Sequence, residues 1–72
     1  MELSKIQRGQ RLLVQTIPDG PLKSRLRQFG FVEGVVAVCR LSKSSIVALE
    51  WMGTVVALRR RDIKEFYGQV IS

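Results

Sequence analysis

The segment LKSRLRQFGFVEGVVAV, residues 22–38, constrains the fold of this 72-residue chain more than any other part of it. The apolar residues of its first half recur at i, i+4 and i+7 and so share one helical face: Leu22, Leu26 and Phe29. Gly30 follows, where a helix end needs a positive φ, and Phe31 is the apolar residue that commonly packs back on the last turn. The segment therefore predicts a helix over 22–29, a glycine cap and a short turn into an apolar strand.

Short strands account for the rest of the chain. The first strand is predicted over 11–17, where the sequence is RLLVQTI, and the tetrapeptide PDGP ends it before the helix. Further strands are predicted over 35–41, 46–51, 54–58 and 66–71, with a hairpin turn at Met52-Gly53 and one helical turn over 60–63. Five short strands with a helix after the first predict one mainly β domain, a small barrel that spans residues 1–72.

The charge of the chain is basic, with 12 Lys and Arg against 6 Asp and Glu. Such an excess is typical of proteins that bind nucleic acid, anionic lipid or an acidic protein partner, and the total alone does not choose among them. Cys39 is the only cysteine and cannot form an internal disulfide, which fits a reducing cytoplasm. With one cysteine and no histidine, the common structural zinc arrangements are excluded. The N-terminus lacks the apolar core of a signal peptide, and no apolar run is long enough to span a membrane. We therefore expect a cytoplasmic protein without direct membrane insertion; a homo-oligomer is compatible with the sequence.

Residues suited to catalysis or metal binding are too scattered to form a site. The six carboxylates occur singly, and Cys39 has no histidine to activate it. No phosphate-binding glycine motif is present. The sequence predicts no catalytic residues, no metal ligands, no cofactor and no enzymatic activity.

The order of the glycines and apolar residues resembles the FeoA family, the small ferrous iron transport protein A. The typical run of that family is R-L-x-x-[apolar]-G-[apolar]-x-x-G-x-x-[Val], which is met here by Arg25, Leu26, Phe29, Gly30, Phe31, Gly34 and Ala37, with Val38 one place beyond. A second block, the apolar hairpin followed by VALR at 56–59 and then by Asp62 and Ile63, is similar as well. The resemblance extends from about residue 3 to residue 70.

The resemblance implies an SH3-like β-barrel and a cytoplasmic accessory role in bacterial ferrous iron uptake. The partner it implies is the cytoplasmic portion of the membrane iron transporter FeoB, bound without catalysis. We expect the contacts to come from Arg25, Leu26 and Arg27 on the helix, with steering by Arg59, Arg60 and Arg61. Although this domain class is associated with transition metals, the residues present leave no evident ligand set, so we expect no metal binding.

The sequence leaves two features undecided: the class of partner and the position of Trp51. An SH3-like barrel with this charge could bind nucleic acid instead, although its aromatic residues do not interleave with the basic ones as a base-stacking surface requires. We therefore expect no nucleic-acid partner, and a salt-dependent gel shift with RNA would favour the alternative. Trp51, beside the hairpin turn, is either partly buried or an exposed anchor for a partner, and the sequence supports both positions equally.

Overall fold

The structure, a computed structural model, describes residues 1–72 as five strands, one α-helix and two 3₁₀ turns. In chain order the regular elements are β1 (Arg11–Thr16), α1 (Pro21–Gln28), β2 (Val36–Ser42), β3 (Ile46–Trp51), β4 (Thr54–Arg59) and β5 (Tyr67–Val70). The 3₁₀ turns cover Leu3–Lys5 and Arg60–Asp62. Every predicted element is present, with bounds within one residue of the prediction. No helix of the structure has the length and apolar character to cross a membrane.

The strands form one antiparallel sheet in the order β4-β3-β2-β1-β5. The pairing shifts register between Val14 and Thr16 in β1 and between Cys39 and Leu41 in β2, and such bulges bend a sheet. The fold is mainly β and SH3-like, as predicted. The sheet is not closed, however, because no ladder joins β4 to β5 at its two ends.

The two ends of the sheet are covered differently. Along β5, the N-terminal segment adds a bridge between Glu2 and Tyr67, and the Gly68 N–H donates to the Met1 carbonyl at 2.9 Å. Along β4, no further segment pairs with the strand. The sheet therefore has one uncovered edge, that of β4.

The end of α1 has the predicted glycine cap. Gly30 takes a φ of 84°, its N–H donates to the Arg27 carbonyl, and the Phe31 N–H donates to the Leu26 carbonyl, both at 3.0 Å. These two bonds form a Schellman motif, which satisfies carbonyls that the helix leaves free. The motif turns the chain so that Phe31 enters the core, while Phe29 stays 57% exposed. The predicted apolar face of the helix thus ends at Leu26, and Phe29 lies outside the core.

Trp51 packs inside the protein, which answers the question left open by the sequence. Its side chain is 2% exposed, and its Nε1–H donates to the Phe29 carbonyl at 3.0 Å, so the hairpin is fixed to the end of α1. The Phe31 ring lies edge-on to the indole with ring centroids 4.7 Å apart, and Phe66 follows at 6.5 Å. These three aromatic rings lie in one buried core with residues from every strand except β5.

Candidate interaction surface

A groove of about 300 Å³ runs between α1 and β4, beside the uncovered edge of the sheet. On the helix side it is lined by Leu22, Arg25, Leu26 and Phe29, and on the strand side by residues 56–59. The helical residues follow the i, i+3, i+4, i+7 spacing that places them on one face. We call this concavity the α1–β4 groove.

The bottom of the α1–β4 groove is apolar, and the predicted contact residue Leu26 lies there. Leu26 is 3% exposed and belongs to the core, so it supports the groove rather than reaching a partner. Leu26 lies at the centre of the core-facing side of the helix. The expectation that its side chain contacts a partner directly is therefore corrected. The exposed aromatic side chain of the groove is Phe29, which helical spacing places on the same face as Leu26.

Two arginines give the groove its positive charge. Arg25 and Arg59 are exposed, lie on opposite sides of the groove, and take part in none of the four ion pairs of the structure. Asp62 is the one acidic residue of the lining. The groove therefore carries unpaired positive charge beside an exposed apolar side chain, a combination typical of a protein-binding surface.

Arg27, the third predicted contact on α1, does not line the α1–β4 groove. Five residues after Leu22, it lies about 140° around the helix axis from that side chain. Arg27 is exposed and unpaired. It is therefore a suitable control position for charge substitutions in the groove.

The three consecutive arginines of residues 59–61 line a second, wider cleft of about 610 Å³. Its other lining residues are Ser44, Ser45, Ile46 and Lys64, so Ile46 is its one apolar side chain and no aromatic ring lies in it. A basic cleft without a stacking surface lacks what single-stranded nucleic acid binding requires. We therefore do not propose the nucleic-acid alternative for this chain.

Arg60 differs from both of its neighbours, because its guanidinium is bonded within the protein. Its Nε–H donates to the Lys43 carbonyl at 2.7 Å and its Nη2–H to the Ser42 hydroxyl at 2.6 Å. Its Nη1 donates to the carbonyls of Ser4 and Ile6. Arg60 thus joins both 3₁₀ turns to the end of β2. Its acceptors are all uncharged, so it keeps its positive charge, and the expectation that it also steers a partner stays a prediction.

Cys39 is buried in β2, where it behaves as a small apolar residue. The residue is 1% exposed, and its thiol donates to the Leu41 carbonyl at 3.3 Å. Burial raises the pKa of the Cys39 thiol above its usual value, which opposes formation of the reactive thiolate.

The structure contains no group of three or more His, Cys, Asp and Glu residues placed to hold a metal ion. We predict that titration with ferrous iron under anaerobic conditions shows no tight stoichiometric site, because isolated carboxylates bind divalent ions weakly. Isothermal titration calorimetry checks this expectation. A heat signal that saturates at one iron per chain at micromolar concentration would contradict it.

Comparison with known proteins points to one family. The family described as the FeoA domain matches residues 1–65. The solution NMR structure of FeoA protein from Chlorobium tepidum has a TM-score of 0.88 and 20% identity, over 100% of this chain and 71% of that chain. The crystal structure of an iron uptake regulatory protein (FeoA) has a TM-score of 0.86 and 16% identity, over 99% of this chain and 97% of that chain. No curated protein sequence matches. At these identities the two structures show a shared fold.

Proposed function

This chain belongs to the FeoA domain family, and from that premise we propose that it is a cytoplasmic accessory protein of bacterial ferrous iron uptake. Its partner is the cytoplasmic portion of a membrane iron transporter of the FeoB type. It acts through protein contacts and performs no reaction of its own. Membership of the FeoA family supports the connection to iron, as does the similarity in fold to an iron uptake regulatory protein.

The α1–β4 groove is the observation that carries the proposal. It combines an apolar bottom, the exposed Phe29 ring, and two arginines without acidic partners. An exposed aromatic residue in a partly apolar concavity is typical of the residues that contribute most to protein binding. Unpaired charges around such a centre raise the association rate with a partner of opposite charge.

The test is a binding titration with the purified cytoplasmic portion of the transporter. We predict a complex with the unmodified chain, and a loss of affinity of about tenfold or more for the double variant Arg25→Glu/Arg59→Glu, because both reversals place like charges against an acidic surface. Isothermal titration calorimetry at two salt concentrations measures the affinity and its electrostatic part.

The matched control is the double variant Arg8→Glu/Arg27→Glu, which changes the net charge by the same amount at exposed positions outside the groove. We expect its affinity to stay within about threefold of the unmodified chain, because distant surface charges are screened at physiological salt. Thermal unfolding confirms that both variants are folded. An equal loss in the two double variants would remove the groove from the interface, and no complex with the unmodified chain would contradict the proposed function itself.

A further inference from the structure

We propose that the α1–β4 groove receives an extended, acidic segment of the partner protein, which pairs with β4 as a sixth strand of the sheet. The inference rests on the proposed function and specifies how the partner is held. Strand addition to a sheet edge supplies affinity through main-chain hydrogen bonds and specificity through alternate side chains. The observations that carry it are the hydrogen-bonding state of β4, the regularity of its edge, and the charge beside it.

The main-chain groups of β4 that face away from β3 have no partner. Met52 and Gly53 both have positive φ and form a two-residue hairpin turn. The residues that flank this turn, Trp51 and Thr54, are therefore a hydrogen-bonded pair of the β3–β4 ladder. Alternation along the ladder then directs the main-chain groups of three exposed residues away from the sheet: Val55, Ala57 and Arg59. No main-chain hydrogen bond from a turn, loop or cap reaches these three residues. Three N–H and three C=O groups are therefore available along one line.

The edge of β4 also lacks the features that usually prevent strand addition. Its sequence, TVVALR, has no proline, and its pairing with β3 runs through all six residues without a bulge. Proteins commonly protect exposed edges with prolines, bulges, charges or a covering segment. Here Arg59 is the only charged residue of the strand, and the opposite edge of the sheet is the one that the N-terminal segment covers.

The groove fixes where the side chains of an added strand would lie. Successive side chains of a strand point to opposite faces, so every second residue of the added segment faces the groove. On that side it meets Phe29, Leu22 and the half-buried Val56, which favour apolar residues. The remaining side chains lie on the outer face with Val55 and Ala57.

The charge of the groove selects an acidic segment over a second copy of this chain. Arg25 and Arg59 are unpaired, and each copy of the chain carries a net charge of +6. Pairing of two β4 edges would bring both sets of arginines into one interface, which like-charge repulsion opposes. An extended segment with apolar residues at alternate positions and carboxylates near its ends satisfies both the groove and the arginines.

Amide hydrogen exchange tests the pairing on the unmodified chain. The isotope-labelled chain is mixed with the purified cytoplasmic portion of the transporter, and exchange is followed residue by residue. We expect the amides of Val55, Ala57 and Arg59 to slow by about tenfold or more in the complex, since each becomes a hydrogen-bond donor to the added strand. The amide of Ser44, in the loop between β2 and β3, serves as the internal reference and keeps its rate.

A proline substitution tests the same claim through affinity. Ala57→Pro removes one outward N–H, and edge strands tolerate proline where the N–H faces away from the sheet. We expect the affinity for the transporter portion to fall about tenfold or more, while Ala57→Ser, which keeps the N–H and nearly the same volume, stays within about threefold. Thermal unfolding establishes that both variants are folded.

The outcomes separate this inference from the proposed function. A complex that forms without slower exchange along β4, or with full affinity for Ala57→Pro, overturns the strand addition and leaves the proposed function standing. A stable homodimer of the unmodified chain paired through β4 also overturns it, because the edge would then be occupied by a second copy. If the unmodified chain forms no complex, the proposed function and this inference are both contradicted.

Discussion

Phe31→Ala is expected to lower the free energy of unfolding by about 4 kcal/mol, the largest effect of any substitution considered for this chain. Phe31 is fully buried, and its ring contacts Trp51 and Phe66 at the centre of the core. Truncation leaves a cavity beneath the end of α1, where the Schellman motif fixes the chain. A domain of this size has a total stability of roughly 4 to 11 kcal/mol, so this loss removes between about a third and all of it.

The neighbouring Phe29 provides the control for that prediction. Phe29 is 57% exposed, and we expect Phe29→Ala to cost less than about 1 kcal/mol because little of its ring leaves water on folding. Urea denaturation followed by circular dichroism measures both variants. Equal losses at the two positions would contradict the placement of Phe31 in the core and Phe29 in the groove.

Arg60→Ala is expected to lower the free energy of unfolding by about 3 kcal/mol and the melting temperature by roughly 15 °C. The Arg60 guanidinium donates hydrogen bonds to four acceptors: the Ser42 hydroxyl and the carbonyls of Lys43, Ser4 and Ile6. The substitution leaves these acceptors without their charged donor. Arg60→Lys should recover little of the loss, because one ammonium group cannot bond to acceptors on separate segments at once.

Arg61→Ala is the matched control for Arg60. Arg61 is exposed and takes part in no ion pair, so its removal should change stability by no more than about 0.5 kcal/mol. Differential scanning calorimetry measures the melting temperatures of both variants. Similar melting temperatures for Arg60→Ala and Arg61→Ala would show that the bonds to Arg60 contribute nothing to stability.

Much of the fold could be predicted from the sequence because its signals are local. Gly30 directly follows a helical apolar pattern and precedes Phe31. Because glycine readily takes the positive φ that a helix end requires, this position predicts the glycine cap that the structure forms as a Schellman motif. The Met52-Gly53 turn between two apolar runs likewise predicts the hairpin that the structure contains. Strand and helix bounds follow from such local chemistry to within one residue.

The candidate surface was harder to predict, because it depends on contacts between segments distant in the chain. Helical spacing places Leu26 and Phe29 on the same face, and only the turn at Gly30 and the packing of Trp51 decide that Leu26 is buried and Phe29 exposed. The role of Arg60 had no sequence signal either, since three of its four acceptors are main-chain carbonyls. The uncovered edge of β4 follows from the order of the strands in the sheet. The pattern of apolar residues in the sequence does not determine that order.

The proposed role of the α1–β4 groove is tested by measuring ferrous iron uptake in cells in which the gene for this chain is replaced by its variants. We predict that Arg25→Glu/Arg59→Glu lowers uptake to the rate of a gene deletion, whereas Arg8→Glu/Arg27→Glu keeps the rate of the unmodified chain, because only the first pair borders the α1–β4 groove. Immunoblotting confirms equal amounts of both variants. Full uptake with Arg25→Glu/Arg59→Glu would contradict the role of the groove, and no change on deletion of the gene would contradict the proposed function in iron uptake.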